Sequence, residues 1–317
     1  MQIRDKSRNW PNLLGGTDRK VYLVRVKRNL RAASFALLVI VLVAPTARAG
    51  DHDLQKQLNW EYADKVLTLR RFYAGDHLKF LFDGRLVGDA PIGPWTLDGR
   101  VEVKQIHVRN GLLEIKARRI HIVFDSKAPA HHASTPIDQM SVLNGLSGKI
   151  RDDIEKSLRK MEVSIEIELP SGKPNEKDID SAIHAVFLMP GESMIEAVPP
   201  YWRRYFAEFE GRPSSAPIPG GQVNVIGRGM SPPHAISAPD PDYSDEARKT
   251  KYQGTMVAWL VVDPTGKPRD LQIQIPLGLG LDEKAIEAIS AWKFEPALKD
   301  GDPVAVQINV EVSFRLY

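Results

Sequence analysis

The sequence predicts an α+β protein in which a β-rich α+β domain precedes a smaller domain with the order helix, two strands, helix, strand and an antiparallel sheet. The chain has 317 residues, of which 43% are hydrophobic, so two domains can each bury a core. A stretch rich in Pro, Gly and Ser separates two regularly patterned regions, and strict alternation near the C-terminus indicates a half-buried strand. We therefore expect domains at 50–210 and 239–317, joined by a linker at 211–238.

Residues 1–49 have the pattern of an export signal. Basic residues precede an apolar run at 32–43, and Ala47-Arg48-Ala49 then offers small residues at a cleavage position before Gly50. Because a helix needs about 20 apolar residues to cross a bilayer, the short run favours a cleaved signal and export to the periplasm. An inner-membrane anchor retained through residues 26–45 is the alternative. The long stretch ahead of Val26 leaves the true start codon open.

Composition excludes several classes of function. The formal net charge is +3, but the basic excess lies in residues 1–49 and the rest of the chain is acidic, which gives no reason to expect a nucleic-acid partner. The chain has no cysteine, so disulfides, thiol chemistry and a lipid-modified lipoprotein anchor are excluded.

The first domain reads as an antiparallel meander or small barrel followed by helices. Asn110-Gly111 is a strong hairpin signal between two of its strands. An aromatic stretch, Tyr201 to Phe206, is expected to pack on the core of this domain in preference to lying on a membrane surface. The predicted strands are 65–69, 78–82, 85–87, 95–97, 101–108, 112–124 and 163–169, and the predicted helices are 142–158 and 178–188.

The second domain is the most regular part of the chain. Ser244 or Asp245 can cap a short helix, and Asp282 can cap a second helix whose apolar face includes Ile289 and Trp292. The predicted strands are 255–262, 271–275 and a final strand at 304–316 with alternating apolar residues. The residues expected in the domain core are Ile289, Trp292, Phe294 and Phe314.

Short motifs in residues 239–317 resemble the C-terminal domain of the TonB energy-transducer family. Each motif is weak alone, but their order and spacing together are specific. They are Pro239-Asp240-Pro241-Asp242-Tyr243, Glu246-Ala247-Arg248, Gln253-Gly254-Thr255, Val261-Val262-Asp263-Pro264-Thr265-Gly266, Leu281-Asp282 with Ala285 and Ala288, Trp292-Lys293-Phe294-Glu295-Pro296-Ala297, Asp300-Gly301-Asp302-Pro303-Val304 and Val312-Ser313-Phe314.

The resemblance implies a periplasmic binding domain that supports transmembrane transport. In the family, a short peptide of a TonB-dependent outer-membrane receptor pairs with the last strand of this domain. An edge strand suits that role because its free N–H and C=O groups bind an added strand with little dependence on side chains. The expected partner-binding residues are Val306, Gln307, Ile308, Asn309, Val310, Glu311 and Val312, and proline at Ile308 or Val310 is expected to abolish such pairing. A homodimer through the same edge is a second possibility.

The chain departs from the family in two ways. The family's anchoring helix carries a Ser and a His four residues apart for coupling to a proton-channel motor complex, whereas Ser34 is followed at that spacing by Leu38 and the apolar run has no His. The long spacer is also reduced to 211–238. A soluble periplasmic scaffold or binding module without a link to the proton-motive force is therefore the alternative function.

No pattern in the sequence indicates an enzyme, a cofactor or a metal site. The His residues have no zinc-ligand spacing, and the exposed pair His131-His132 has no further ligands nearby in sequence. Neither a G-x-S-x-G motif nor a phosphate-binding loop is present. Leu277-Gly278-Leu279-Gly280-Leu281 is interpreted as a tight strand-to-helix turn.

Overall fold

The computed structural model describes residues 51–124, 136–138, 161–170, 174–211, 223–227 and 229–316. The predicted export signal at 1–49, the predicted helix at 142–158 and the His131-His132 pair lie outside these ranges. No helix within them combines the length and the apolar character needed to cross a membrane.

The described residues of 51–211, called here the N-terminal module, form a seven-stranded mixed sheet, a separate two-stranded sheet and flanking helices. The sheet order is β3-β2-β8-β5-β4-β1-β9, and the pairing of β2 with β8 is parallel. The elements are α1 Asp51–Tyr62, β1 Val66–Leu69, β2 His77–Phe80, β3 Leu86–Val87, α2 Trp95–Asp98, β4 Arg100–Arg109, β5 Leu112–Arg119, β6 Ile122–Phe124, β7 Pro136–Asp138, β8 Glu162–Glu168, α3 Glu176–Val186, β9 Phe187–Leu188 and α4 Pro200–Phe209.

The sheet is not the predicted meander, because β8 inserts between β2 and β5. The hairpin at Asn110-Gly111 is confirmed, and both residues have positive φ (53° and 75°), as a type I′ turn requires. The residues predicted as a strand at 95–97 instead form α2, which begins after Pro94 with its φ of −62°. A three-residue apolar run cannot distinguish the two structures by periodicity. Helix α1 was not predicted.

The alternation along β4 is also interrupted. A register shift between Val103 and Gln105 moves the buried face from Val101 and Val103 to Ile106. Such a bulge adds a residue without changing the hydrophobic content of the strand, so the sequence pattern alone does not locate it. The predicted strand 112–124 is likewise divided into β5 and β6.

The C-terminal domain has the predicted order of helix, two strands, helix and strand, with short added strands. The main sheet has the order β10 (Asn224–Val225), β18 (Val306–Phe314), β13 (Gly254–Val262), β14 (Pro268–Ile275), and it is antiparallel except for the pairing of β10 with β18. The elements are α5 Asp245–Thr250, β13 Gly254–Val262, β14 Pro268–Ile275, α6 Leu281–Ser290, β15 Lys293–Glu295, β16 Ala297–Lys299, β17 Asp302–Val304 and β18 Val306–Phe314.

One of the two predicted helix caps is found. The Ser244 hydroxyl accepts the N–H of Ala247 at 3.2 Å, as an N-cap does. Asp282 is not a cap. It lies inside the first turn of α6, and its fully buried carboxylate accepts the N–H groups of Leu277 and Gly278 at 2.8 and 2.7 Å. Burial raises the pKa of Asp282 and outweighs these hydrogen bonds.

Part of the predicted linker is folded onto the C-terminal domain. Three short strands, β10 Asn224–Val225, β11 Met230–Ser231 and β12 His234–Ser237, pair with β18, β16 and β15 respectively. The extended backbone favoured by a Pro-rich segment is also the backbone that adds to a sheet edge, so composition did not distinguish a spacer from edge strands.

The N-terminal module and the C-terminal domain are joined by main-chain hydrogen bonds. The turn before α6 pairs with β6: the Phe124 N–H donates to the Leu277 carbonyl at 3.0 Å, and the Leu279 N–H donates to the Ile122 carbonyl at 3.0 Å. The Tyr252 hydroxyl donates to the Phe124 carbonyl at 2.9 Å. Two regions predicted to be separate modules therefore share a continuous interface.

Aromatic residues of α4 complete that interface. Trp202, Tyr205 and Phe206 are buried, which confirms that this stretch packs on the core. The Trp202 indole N–H donates to Glu283 of α6 at 2.9 Å. On the same helix, the Arg204 guanidinium lies 3.4 Å from the ring centroid of Trp259 in β13, a cation–π contact.

We predict that Gly278→Ala destabilises the protein more than Gly301→Ala. Both glycines have a positive φ, 91° and 97°, so both substitutions cost backbone strain of about 1–2 kcal/mol. A Cβ at Gly278 would lie 2.2 Å from the Ile122 carbonyl oxygen across the interface, whereas nothing lies within 4 Å at Gly301. Urea unfolding of the two variants measures the difference. Equal losses would show that the close approach of β6 contributes nothing.

Two ionisable groups near this interface, Asp98 and His121, have opposite pKa shifts. Burial raises the pKa of Asp98 to about 6, although the guanidinium of Arg119, 3.2 Å away, opposes the shift. Burial, together with Arg119 and Lys249, lowers the pKa of His121 to about 4. As the pH falls from about 6.5 to 4, Asp98 binds its proton first in the folded state, but His121 binds its proton first in the unfolded state.

These two effects offset each other, so we predict that Asp98→Asn makes the protein acid-sensitive. Below pH 6.5 the variant retains the destabilising contribution of His121 and loses the stabilising contribution of Asp98. Relative to wild type, its free energy of unfolding should fall by about 2 kcal/mol between pH 6.5 and 4. Urea unfolding across this range tests the prediction. Parallel pH profiles for the two proteins would contradict it.

Candidate peptide-binding edge

The strand β18 has one edge fully paired and one edge mostly open. It pairs with β13 along its whole length, from Val262 opposite Val306 to Gly254 opposite Phe314. On the other side, β10 pairs only with Val306 and Gln307. Among the described residues, none pairs with the outer edge from Ile308 to Phe314.

The pairing of β10 determines which main-chain groups face outward. Asn224 lies opposite Val306 in a parallel register, and its N–H donates to the Ala305 carbonyl at 2.9 Å. In a parallel pair, a residue forms its main-chain hydrogen bonds with the two residues on either side of the one opposite it. The main-chain groups of Ala305 and Gln307 therefore face β10. Because successive residues of a strand alternate sides, the N–H and C=O groups that face the open edge belong to Asn309, Glu311 and Ser313.

The opposite side of the sheet gives the same alternation. The Asp263 N–H donates to the Lys267 carbonyl across the β13–β14 turn, so odd-numbered residues of β13 face β14. Even-numbered residues such as Leu260 then face β18 and bond its even-numbered residues, including Ile308 opposite Leu260.

The predicted binding residues at 306–312 are therefore not equivalent. Val306 and Gln307 lie beside β10, while the main-chain groups of Ile308, Val310 and Val312 are directed at β13. A proline at Ile308 or Val310 would remove a main-chain bond to β13 and so disrupt the sheet of the domain itself. Ser313 and β10 also belong to this edge, although neither was predicted from the sequence. The alternating run Val223-Asn224-Val225 is the signal that could have indicated β10.

The side chains of the open edge are polar and exposed. Asn309, Glu311 and Ser313 are exposed, whereas Val312 is buried. The Ser313 hydroxyl lies 2.9 Å from the Thr255 hydroxyl, and the Asn309 amide donates to Gln274 at 3.4 Å. Polar pairs across the sheet hold the row of side chains, and no strand among the described residues pairs with the outward main-chain groups.

A buried core supports the edge from behind. Ile289, Phe294 and Phe314 are buried, and the Phe314 ring meets the Tyr243 ring at a centroid distance of 5.4 Å. Trp292 differs from the other expected core residues because it is only half-buried. Its indole N–H donates to the Pro239 carbonyl at 3.1 Å, so it positions the chain where the domain begins.

Residues 239–316 match the family described as Gram-negative bacterial TonB protein C-terminal. The chain is similar to Protein TonB of Vibrio cholerae, at 37% identity over 86 residues, which is 26% of this chain and 35% of that protein. It is also similar to Protein tonB2 of Pseudomonas aeruginosa, at 29% identity over 79 residues, which is 25% of this chain and 29% of that protein.

Among solved structures, the chain is similar to the solution NMR structure of the Pseudomonas aeruginosa TonB CTD. That match has 18% identity and a TM-score of 0.24, and it covers 30% of this chain and 96% of that structure. The chain spans about a third of the length of the curated relatives that it matches. The family match identifies residues 239–316 as a TonB C-terminal domain.

Proposed function

We propose that the chain is a TonB-like energy-transducer protein of the cell envelope that binds an extended peptide of a TonB-dependent outer-membrane receptor. The peptide adds as a strand to the open edge of β18, and the binding supports transmembrane transport. The observation that carries the proposal is the outward row of main-chain groups at Asn309, Glu311 and Ser313, beside which no described residue pairs.

The chemistry of the edge supports a peptide as the ligand. Main-chain hydrogen bonds supply affinity to any extended peptide, and neighbouring side chains add selectivity. The chain's own β10 supports this further, because it pairs with the same edge of β18 at Val306 and Gln307. The exposed polar side chains keep the free edge soluble until a partner is present.

The relatives support the transducer function at the level of the family. Each of them matches only about a quarter of this chain, so the receptor, the transported substrate and the coupling to a motor complex are part of the proposal. Export through residues 1–49 is proposed from the sequence pattern alone. We propose a binding role and no catalytic one for the whole chain.

The docked N-terminal module favours a second candidate, a periplasmic scaffold or binding module without proton-motive coupling. The β6 contact to Leu277 and Leu279, with the Trp202–Glu283 hydrogen bond, holds the TonB domain against a folded module. In this candidate the edge of β18 still binds a peptide, and the module supplies the fixed support.

We predict that Glu311→Pro lowers peptide affinity at least about tenfold and preserves the fold. The Glu311 N–H faces the open edge, so proline removes a bond to the peptide and none to β13; a tenfold change corresponds to about 1.4 kcal/mol. The measurement is the change in fluorescence anisotropy of a labelled receptor peptide on addition of the full-length chain in detergent. Glu311→Ala is the matched control, because it keeps the N–H and should bind like wild type.

Val310→Pro provides the comparison for stability. Its N–H faces Ala258 of β13, so the substitution should lower the free energy of unfolding by about 3 kcal/mol or more, whereas Glu311→Pro should change it little. Unchanged peptide binding by folded Glu311→Pro would refute strand addition at this edge. Equal destabilisation by the two prolines would refute the assigned alternation.

We predict that the mature protein begins at Gly50 and fractionates without the membrane. The short apolar run at 32–43 and the small residues Ala47 and Ala49 lead to this expectation. N-terminal sequencing and membrane fractionation of the protein made in its own cells test it, and Ala47→Arg with Ala49→Arg should block the cleavage. A membrane-bound chain that retains 26–45 would favour coupling to the motor complex instead.

A further inference from the structure

The open edge of β18 begins where its pairing with β10 ends. Asn224 is bonded twice to the Ala305 carbonyl, through its main-chain N–H at 2.9 Å and through its side-chain amide at 3.2 Å. Val225 lies opposite Gln307, and the chain then leaves the sheet at Ile226. The first outward-facing residue beyond this point is Asn309, about 7 Å further along the strand.

The end of β10 carries two exposed apolar side chains. Val225 is 82% exposed and Ile226 is 41% exposed, although each lies directly beside a folded sheet. Val225 lies opposite Gln307, so its side chain is on the same face of the sheet as those of Gln307 and Asn309. The exposed apolar surface and the unpaired main-chain groups are therefore adjacent parts of one surface.

We propose that β10 sets the register and the length of the bound peptide, an inference that rests on the proposed function. The peptide covers only the stretch from Ile308 to Phe314, and its end nearest β10 packs on Val225 and Ile226. The ligand class is thus a short extended peptide with an apolar residue at that end. Val225 and Ile226 are the residues that determine specificity, and main-chain bonding supplies the rest of the affinity.

A second copy of this chain fits the same surface less well than a peptide. With β10 in place, a symmetric antiparallel pair that used the whole open stretch would be centred on Glu311, and each Glu311 would face the other directly. Like charges directly opposite each other destabilise a strand pair. The occupant that the edge favours is therefore a peptide of different sequence.

The experiment uses two nested synthetic peptides from the segment of a TonB-dependent receptor that contacts its transducer. The longer peptide can span Val306 to Phe314, and the shorter one spans only Asn309 to Ser313. On the full-length wild-type chain the two should bind with equal affinity, because β10 excludes the extension. On Asn224→Pro, which removes the donor to Ala305, the longer peptide should bind about tenfold more tightly than the shorter one.

A second set of variants tests the apolar contact. Val225→Asp should weaken the shorter peptide about fivefold when its β10-facing residue is apolar, and should not weaken a peptide with Ser at that position. Val87→Asp is the matched control, because Val87 is an exposed valine of β3 in the N-terminal module. Replacement of residues 223–226 by Gly and Ser should give the same length dependence as Asn224→Pro.

The outcomes separate this inference from the proposed function. If both peptides bind and Glu311→Pro abolishes binding, but neither β10 variant restores a preference for the longer peptide, the inference about β10 fails and the proposed function stands. If neither peptide binds the wild-type chain or the β10 variants, both fail. A concentration-dependent dimer in sedimentation equilibrium that is lost in Glu311→Pro would identify a second copy as the occupant and overturn the inference.

Discussion

The full-length antiparallel pairing of β13 with β18 is the interaction on which the rest of the C-terminal domain depends. In this pairing the N–H and C=O groups of alternate residues of β18 bond to β13. The N–H and C=O groups of Asn309, Glu311 and Ser313 are therefore directed away from β13. The buried face of the same pairing carries Phe314 and Val312, which hold the strand against the core. The register of β13 with β18 thus determines both how the strand is held and which of its main-chain groups face away from β13.

The turn from Leu277 to Gly280 has a comparable role between the two regions of the chain. Its outward side pairs with β6, and its inward side is held by the buried carboxylate of Asp282. Gly280 has a φ of 74° and its N–H donates to the Thr96 hydroxyl at 3.0 Å, so the turn is bonded to the N-terminal module on both sides of Leu279. A motif that looked like a simple strand-to-helix connection is thus one part of the contact surface between the two regions.

The features predicted correctly from the sequence are those that depend on local patterns of residues. The order of elements in the C-terminal domain, the hairpin at Asn110-Gly111 and the packing of Trp202 follow from alternation, turn chemistry and aromatic content. The position of β8 between β2 and β5 and the pairing of β10 do not, because they depend on residues distant in sequence. The bulge after Val103 does not either, because it leaves the hydrophobic content of β4 unchanged. The sequence predicted the edge of β18 as a binding surface. Only the register with β10 and β13 shows that the main-chain groups of its odd-numbered residues face outward.

The free edge of β18 also has a mechanical consequence. A strand added beside Asn309, Glu311 and Ser313 and pulled along its own length would load all of its hydrogen bonds at once, in shear, so that no single bond carries the whole force. The load would pass into β13, where Trp259 lies against Arg204 of the N-terminal module. The direction of the strand therefore makes this edge resistant to a steady pull along β18, whereas a pull perpendicular to it would separate the bonds one after another.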